Sequence, residues 1–253
     1  MKAAVGLDSS HEDPRPISVL HDEIIAAEKA DEEKRRQKQV AAVSMWSESE
    51  PLRVSLAEAY LKTHRGISVP DTVYRNDQLR FSANPFMNDW EGSKFPDCAG
   101  ALVARMVDPL TNEQTGVHRT FLRSDGSKID RRMLGQAGIV KLTDAEAQGE
   151  AMTGLGIGEG LESSLAAMVR YKWQPIWSCL TAGGISSFPM LPHVEALTIF
   201  GDHDREKNGR KAGQDAANEC KARWLAAGCE VSIATPPDIG TDFADLLETG
   251  EAA

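Results

Sequence analysis

The sequence predicts an α/β protein in which a mostly parallel sheet with flanking helices follows a smaller α+β subdomain built on a β meander. Three observations predict it. After Glu150, short apolar runs alternate with helix-length stretches, the pattern of strands buried on both faces and joined by crossover helices. Between Ala99 and Leu142, strand-like runs are separated by turn residues with no helix between them. Ahead of both lies a charged stretch whose composition favours helix.

Residues 1–50 read as a polar, charged helical arm. EIIAAEKADEEKRRQKQVAAVSMW is rich in Ala, Glu, Lys, Arg and Gln, and its apolar positions are too thin for a core-facing stripe. Residues 51–150 form the α+β subdomain. VSLAEAYLKTHRG predicts a helix with Leu56, Ala59, Tyr60 and Thr63 as its apolar stripe, ended by Gly66. An irregular segment follows, punctuated by Pro70, Pro85 and Pro96. ALVARMV, VHRTFLRSDG and KIDRRML then predict the meander, with a short VKL strand after Gly135 and Gly138.

Residues 151–253 carry the parallel sheet. GLGIGEG reads as a strand running into a loop and LESSLAAMVRY as a helix. IWSCLTA and ALTIFGD are strands, RKAGQDAANECKARWLAAG is a longer helix, CEVSIAT is a strand and DFADLLE a last short helix. On the long helix, Ala212, Ala216, Cys220 and Trp224 recur at i, i+4 and predict its buried stripe.

Bulk properties exclude several classes. The 253 residues are 41% hydrophobic and 26% charged, an ordinary globular composition. No apolar run approaches the roughly 18 residues needed to span a bilayer. MKAAVGLDSSHEDPRP lacks the apolar core of a secretory signal, so the expectation is a cytoplasmic protein with no membrane partner. Cys98, Cys179, Cys220 and Cys229 lie far apart with no C-x-x-C pair, which excludes a cysteine zinc ribbon within the chain and predicts reduced thiols. The net charge of −10 argues against a protein that coats nucleic acid by charge alone. The charge is uneven, however. Residues 101–142 hold seven Lys/Arg against four Asp/Glu, and residues 195–253 hold six against twelve. A basic middle and an acidic end are what two walls of one cleft would show, metal ions offsetting the acidic wall.

Two predicted strand ends carry carboxylates beside glycines. Gly156-Ile157-Gly158-Glu159-Gly160 puts Glu159 just past an apolar strand, and Phe200-Gly201-Asp202-His203-Asp204 puts two acids past the next-but-one. In extended chain, residues two apart point the same way, so Asp202 and Asp204 can share a cation while His203 points to the opposite face. Clustered hard oxygens suit Mg²⁺ or Mn²⁺, which retain waters and share phosphate oxygens with a substrate. Such a set can organise phosphoryl transfer.

GIGEGLESSLAAM, FGDHDREKNGRKAGQDAANECKARWLAAGCEVSIATPP and GTDFADLL together resemble the Toprim domain, a Rossmann-like fold. More narrowly, they are similar to the Toprim half of bacterial, phage and plasmid primases and primase-helicases, over residues 153–248. AYLKTHRGI and ALVARMVDPLTNEQTGVHRTFLRSDGSK also resemble the region in front of Toprim in those proteins. The resemblance implies that Glu159 is a general acid/base and metal ligand, and that Asp202 and Asp204 hold the divalent cation, Mg²⁺ or Mn²⁺. Glu162 and Asp242 are further candidates for the metal shell. The family's primases carry an aspartate four residues after the glutamate, and here that position is Ser163. Asp242 and Asp245 either face the same cleft or cap the helix they begin.

The basic segment supplies the candidates for template and nucleotide contacts: Arg105, Arg119, Arg123, Lys128, Arg131 and Arg132, joined by Arg205 and Lys207 beside the D-x-D. The resulting expectation is a DNA primase-like nucleotidyltransferase. It would make RNA primers on single-stranded DNA from nucleoside triphosphates, with a replicative helicase as a partner. Bacterial-type primases place a zinc module ahead of this core, whereas the first 50 residues here hold no cysteine, so no structural zinc is expected. Two alternatives stay open: a Toprim-type metal-dependent nuclease, and a non-catalytic Toprim protein that binds DNA or regulates a partner.

Overall fold

The computed structural model describes residues 17–143, 154–203, 205 and 211–248, with side chains from residue 21 onward. Helix α1 (Ile17–Glu48) is continuous over 32 residues. Its course up to Gln37 belongs to a unit of its own, almost wholly exposed. There Glu33 accepts from Arg36 and Gln37, the i,i+3 and i,i+4 pairing that supports a solvated helix. From Lys38 the chain forms the second unit. Ala42 and Met45 are buried with Val103, Val117, Phe121 and Leu134. The end of α1 is therefore a core element, where the sequence pattern predicted a solvated arm throughout. The buried contacts come from the last turns, where Val40, Val43, Met45 and Trp46 follow a charged middle with no large apolar residue.

The first sheet is antiparallel, with its strands in chain order: β1 (Glu50–Pro51), β2 (Leu79–Ser82), β3 (Gly100–Val107), β4 (Gln114–Leu122) and β5 (Lys128–Gly135). The short helices α2 (Leu56–Ala59), α3 (Asp71–Asn76) and α4 (Asp89–Gly92) lie in its connections. Ser55 caps α2 through its side chain, and the helix widens into a π-helical turn, Tyr60–His64. The π turn carries extra residues per revolution. The buried positions become Ala57, Tyr60 and Leu61, while Ala59 and Thr63 of the predicted stripe are exposed. Gly66 follows with φ of +63°, the left-handed stop that its sequence position predicts.

The second sheet runs in the order β10-β9-β7-β8-β6: β10 (Glu230–Ala234), β9 (Ala196–Phe200), β7 (Gly154–Gly158), β8 (Ile176–Ser178) and β6 (Val140–Lys141). Its first four strands are mutually parallel, and β6 pairs antiparallel at the edge. Helices α5 (Leu161–Tyr171), α6 (Ala182–Ser186), α7 (Ala212–Ala226) and α8 (Asp245–Glu248) complete the α/β fold. Strand alternation divides the burial. Leu155, Ile157, Leu197 and Ile199 pack with Ile185 of α6 and with Ala216, Cys220 and Trp224 of α7. Ile176 and Phe200 pack on the other side, with Leu161, Leu165 and Met168 of α5.

That second core is shared with the first sheet, through Leu102, Ala104, Met106 and Leu122, and with Tyr60 and Leu61. Truncating any one of its fully buried leucines to Ala would cost roughly 2–5 kcal/mol. The two sheets are thereby locked together on the side that carries α5. Glycine lets the helix lie close: a Cβ at Gly158 would overlap the Ser164 hydroxyl, and one at Gly156 would come within 2.8 Å of Trp173 Nε1. No helix among the described residues is long and apolar enough to cross a membrane.

Candidate functional site

β7 and β9 are parallel neighbours in register, Gly158 opposite Phe200. Glu159 and Asp202 thus lie one and two residues beyond a matched pair of strand ends. β8 lies on one side of β7 and β9 on the other, so the chain changes direction across the sheet at β7. The crevice outside the carboxyl ends at such a reversal is where open α/β sheets bind ligands. Both carboxylates are half-buried there.

The backbone around Asp202 is pinned on both sides. Gly201 N–H donates to the Ala234 carbonyl at 3.0 Å and His203 N–H to the Thr241 carbonyl at 3.1 Å. Gly240 N–H donates to the His203 carbonyl at 2.5 Å, and the His203 ring Nδ1 lies 2.9 Å from the Pro236 carbonyl. His203 ties the strand end to the loop before α8. Glu159 directly precedes Gly160, the N-cap of α5, where the helix end favours negative charge. Asp204 and Lys207 lie outside the described residues. Among the described residues, no three His, Cys, Asp or Glu side chains form a metal-binding group. The donor chemistry of Glu159 and Asp202 fits a hard divalent cation: two carboxylates past adjacent strands, one backed by a helix N-terminus.

Glu162 belongs elsewhere. Its side chain is buried, and Oε1 accepts from the Tyr60 hydroxyl at 2.9 Å and from Lys128 Nζ at 3.2 Å. Burial pushes this carboxyl up, but the Lys128 ammonium, its own backbone N–H and the Tyr60 hydroxyl outweigh it and hold the group at about 2. Burial, together with Glu162, raises the Tyr60 hydroxyl. Glu162 Oε1 is thus engaged inside the protein by Tyr60 and Lys128.

Asp242 is likewise committed. Oδ1 accepts from the Ala244 and Asp245 backbone N–H groups at 2.7 and 3.0 Å, and Oδ2 pairs with Arg65 at 3.1 Å. Asp245 Oδ2 accepts from Asp242 N–H at 2.8 Å, a reciprocal cap of the last short helix. Of the two readings left open for Asp242 and Asp245, the geometry supplies the capping one.

The basic segment is split between two faces. On β4, His118, Thr120 and Leu122 alternate with Val117, Arg119 and Phe121, and Leu122 lies in the core shared with α5. Register places Arg131 opposite Thr120, and Lys128 opposite Leu122. Lys128 and Arg131 therefore belong to the face turned toward α5. Arg105 and Arg132 have the parity of Val103 and Phe121, on the opposite face.

Arg119 is also on that far side and is buried, 2% exposed. It is held by Glu91 at 2.8 and 3.0 Å and by the Pro85 carbonyl at 2.8 Å. This corrects the expectation that Arg119 meets phosphates, because its guanidinium anchors α4 to the sheet. Arg132 pairs with Asp130 at 3.1 Å and lies over Phe95. Arg123 closes its own turn on Ser127 and Lys128, and Arg105 is half-buried against Gln78. Exposed Arg205 packs across Gly240, whose missing Cβ makes the room.

Sequence reasoning missed Tyr60, Glu91 and His118 as members of polar clusters. Periodicity marks Tyr60 as core and says nothing of its hydroxyl. His118 is buried with Nδ1 bonded to no partner, and burial, aided by Arg131, Lys128 and Arg119, lowers it to about 4 against the pull of Glu162. All four cysteines are free, and burial pushes the Cys179 and Cys220 thiols up, as expected of reduced, unreactive groups.

A family model described as a Toprim domain matches residues 154–252, the segment from β7 to the C-terminus. Residues 154–252 are a Toprim domain. A second model, described as a domain of unknown function (DUF7146), matches residues 36–141, from the end of α1 to β6. No curated protein matches the sequence.

Solved structures place the Toprim domain and the antiparallel sheet in one architecture. The Aquifex aeolicus primase, with its zinc-binding and RNA polymerase domains, aligns with a TM-score of 0.54 at 16% identity. The alignment covers 85% of this chain and 58% of that one, so the chain spans little more than half of that structure. The DnaG primase catalytic domain bound to ssDNA aligns at 0.53 and 16%, covering 86% of this chain and 76% of that one. The E. coli primase catalytic core gives 0.51 and 16%, with 85% and 75% covered. The likeness is one of fold: a Toprim domain preceded by the antiparallel subdomain of a primase core.

Proposed function

We propose that the chain is a primase-type nucleotidyltransferase that joins ribonucleotides on a single-stranded DNA template. The observation that carries this reading is the placement of Glu159 and Asp202 past adjacent parallel strands, with Lys128 and Arg131 on the sheet face turned toward the same helix. An acidic wall and a cationic wall are what a triphosphate and a nucleic-acid backbone require.

Asp202, with Asp204, would hold the divalent cation, Mg²⁺ or Mn²⁺, and Glu159 would share that shell. When bound, the cation neutralises phosphate charge and orients the attacking and leaving oxygens. Glu159 takes the proton of the attacking 3′-hydroxyl. The new bond forms between the 3′-oxygen and the α-phosphorus, the bond to the β-phosphate oxygen breaks, and pyrophosphate leaves. Lys128 and Arg131 bind triphosphate or template phosphates, and the pinned backbone at Asp202 keeps its carboxylate from swinging out of the crevice.

The test is primer synthesis from ribonucleoside triphosphates on single-stranded DNA with Mg²⁺ or Mn²⁺. Glu159→Gln and Asp202→Asn are each expected to cut synthesis by roughly a hundredfold or more. Synthesis that survives both unchanged overturns the reading. Cleavage of labelled DNA without added nucleotides, lost in the same variants, would assign the site to a nuclease instead.

A further inference from the structure

Glu162 stands in the first turn of α5, three residues after Glu159, and is 5% exposed. Its neighbours on that helix, Leu161 and Leu165, are apolar and fully packed, so a leucine or methionine would fill the place without burying a charge. Burying an ion pair costs several kcal/mol per ion before pairing, and such pairs are a weak source of stability. They do fix geometry. Here a single oxygen gathers two donors from separate elements: the Tyr60 hydroxyl from the π turn and the Lys128 ammonium from the first residue of β5. Lys128 is 38% exposed, and its four-carbon stem would otherwise sample many rotamers. Tied to Glu162, its ammonium stays beside the helix that follows Glu159. An ammonium has three N–H groups, and one pair to Glu162 leaves donors for phosphate oxygens.

We propose that Glu162 is a positioning residue that holds the Lys128 ammonium at the acidic strand ends, as the cation that meets the triphosphate of an incoming nucleotide. The proposal rests on the primase-type reading, and its two experiments separate its own failure from that of the reading. The first needs no nucleotide. In ¹⁵N-lysine-labelled protein, the Lys128 Nζ protons are protected from exchange, and Glu162→Gln removes the protection. Protection unchanged by Glu162→Gln overturns the positioning role whatever the chain does.

The second is calorimetric titration with each of the four ribonucleoside triphosphates in the presence of Mn²⁺. Glu162→Gln, which keeps the shape and removes the charge, weakens binding about tenfold, the scale of a charge-assisted hydrogen bond. Lys128→Met weakens it at least as much, and the double variant is no weaker than Lys128→Met alone. Tyr60→Phe takes away the other partner of the same carboxylate; it lowers Tm and leaves nucleotide affinity unchanged. Additive losses, or a Tyr60→Phe loss equal to that of Glu162→Gln, assign the effect to packing and overturn the proposal. Wild-type protein that shows the protected Lys128 but binds no nucleotide overturns the phosphate role together with the primase-type reading, and leaves only the tether.

Discussion

His118 is buried on β4 with Nδ1 unbonded, within the field of Glu162, Arg131, Lys128 and Arg119. The physical conflict is one of charge and burial. An imidazolium there would gain from Glu162 but lose its hydration and meet three cations, so the folded group is lowered from 6.5 to about 4. The sign follows from proton uptake. Between pH 6.5 and 4 the unfolded chain binds a proton at His118 that the folded chain does not, so stability falls as the pH drops through that window. The full effect is roughly 3 kcal/mol. Glu162 does not offset it, because its folded carboxyl sits near 2 and stays ionised throughout. Its own contribution is present above the ordinary carboxylate range and is lost only as the pH falls from about 4.5 toward 2. Thermal melts from pH 7 to pH 4 are expected to show a falling Tm for wild type and a flatter curve for His118→Leu. Parallel curves would mean that the imidazole finds its proton inside the fold.

The junction of β7 with α5 carries the next demand, because the strand must deliver Glu159 and the helix must start almost at once. Gly158 makes that possible: Ser164, one turn in, donates from Oγ to the Gly160 carbonyl at 2.7 Å and fills the space where a Cβ would stand. Gly158→Ala therefore pushes α5 off the sheet or turns Glu159 away. It is expected to lower stability by roughly 1–3 kcal/mol, the usual penalty of overpacking, and to reduce primer synthesis beyond what lost folded protein explains. Ser164→Ala added to it should recover part of the stability, as the hydroxyl is the nearest obstacle. A double variant no better than Gly158→Ala in thermal melts would place the strain elsewhere. The glycines were legible in the sequence as a strand-end signature, and so were the strands of the Toprim domain and its helices other than α6, since buried parallel strands announce themselves by unbroken apolar runs. β1, β2, α3, α4 and α6 were not. They are two to six residues long, too short for a period to show; from α2 into the π turn the buried face is Ala57, Tyr60 and Leu61, a helical spacing set one step round from the predicted stripe.

At the level of the whole fold, the sequence showed that residues 101–142 are basic, but not that a sheet has two sides with different duties. Alternation alone would have separated Arg119 and Arg132 from His118 and Arg131. What it could not say is which parity faces the Toprim domain, because β4 is buried on both faces, by α1 and the Phe86–Phe95 cluster on one side and by α5 on the other. Tertiary packing decides that, and of the six basic candidates it leaves Lys128 and Arg131 on the face turned toward α5. The consequence is measurable in salt dependence, because each phosphate neutralised on single-stranded DNA adds about 0.7 to the slope of log K against log salt. Arg131→Ala is expected to lower the slope by about 0.7 and weaken binding uniformly across sequences. Arg132→Ala, its neighbour on the same strand, is expected to leave the slope unchanged, since its guanidinium is paired with Asp130 and lies over Phe95 on the far side. Fluorescence anisotropy with a labelled oligonucleotide across a range of NaCl reads both. If Arg132→Ala flattens the slope and Arg131→Ala does not, the template runs over the α1 side of the sheet, and the cleft between the basic strand and the acidic strand ends is not its path.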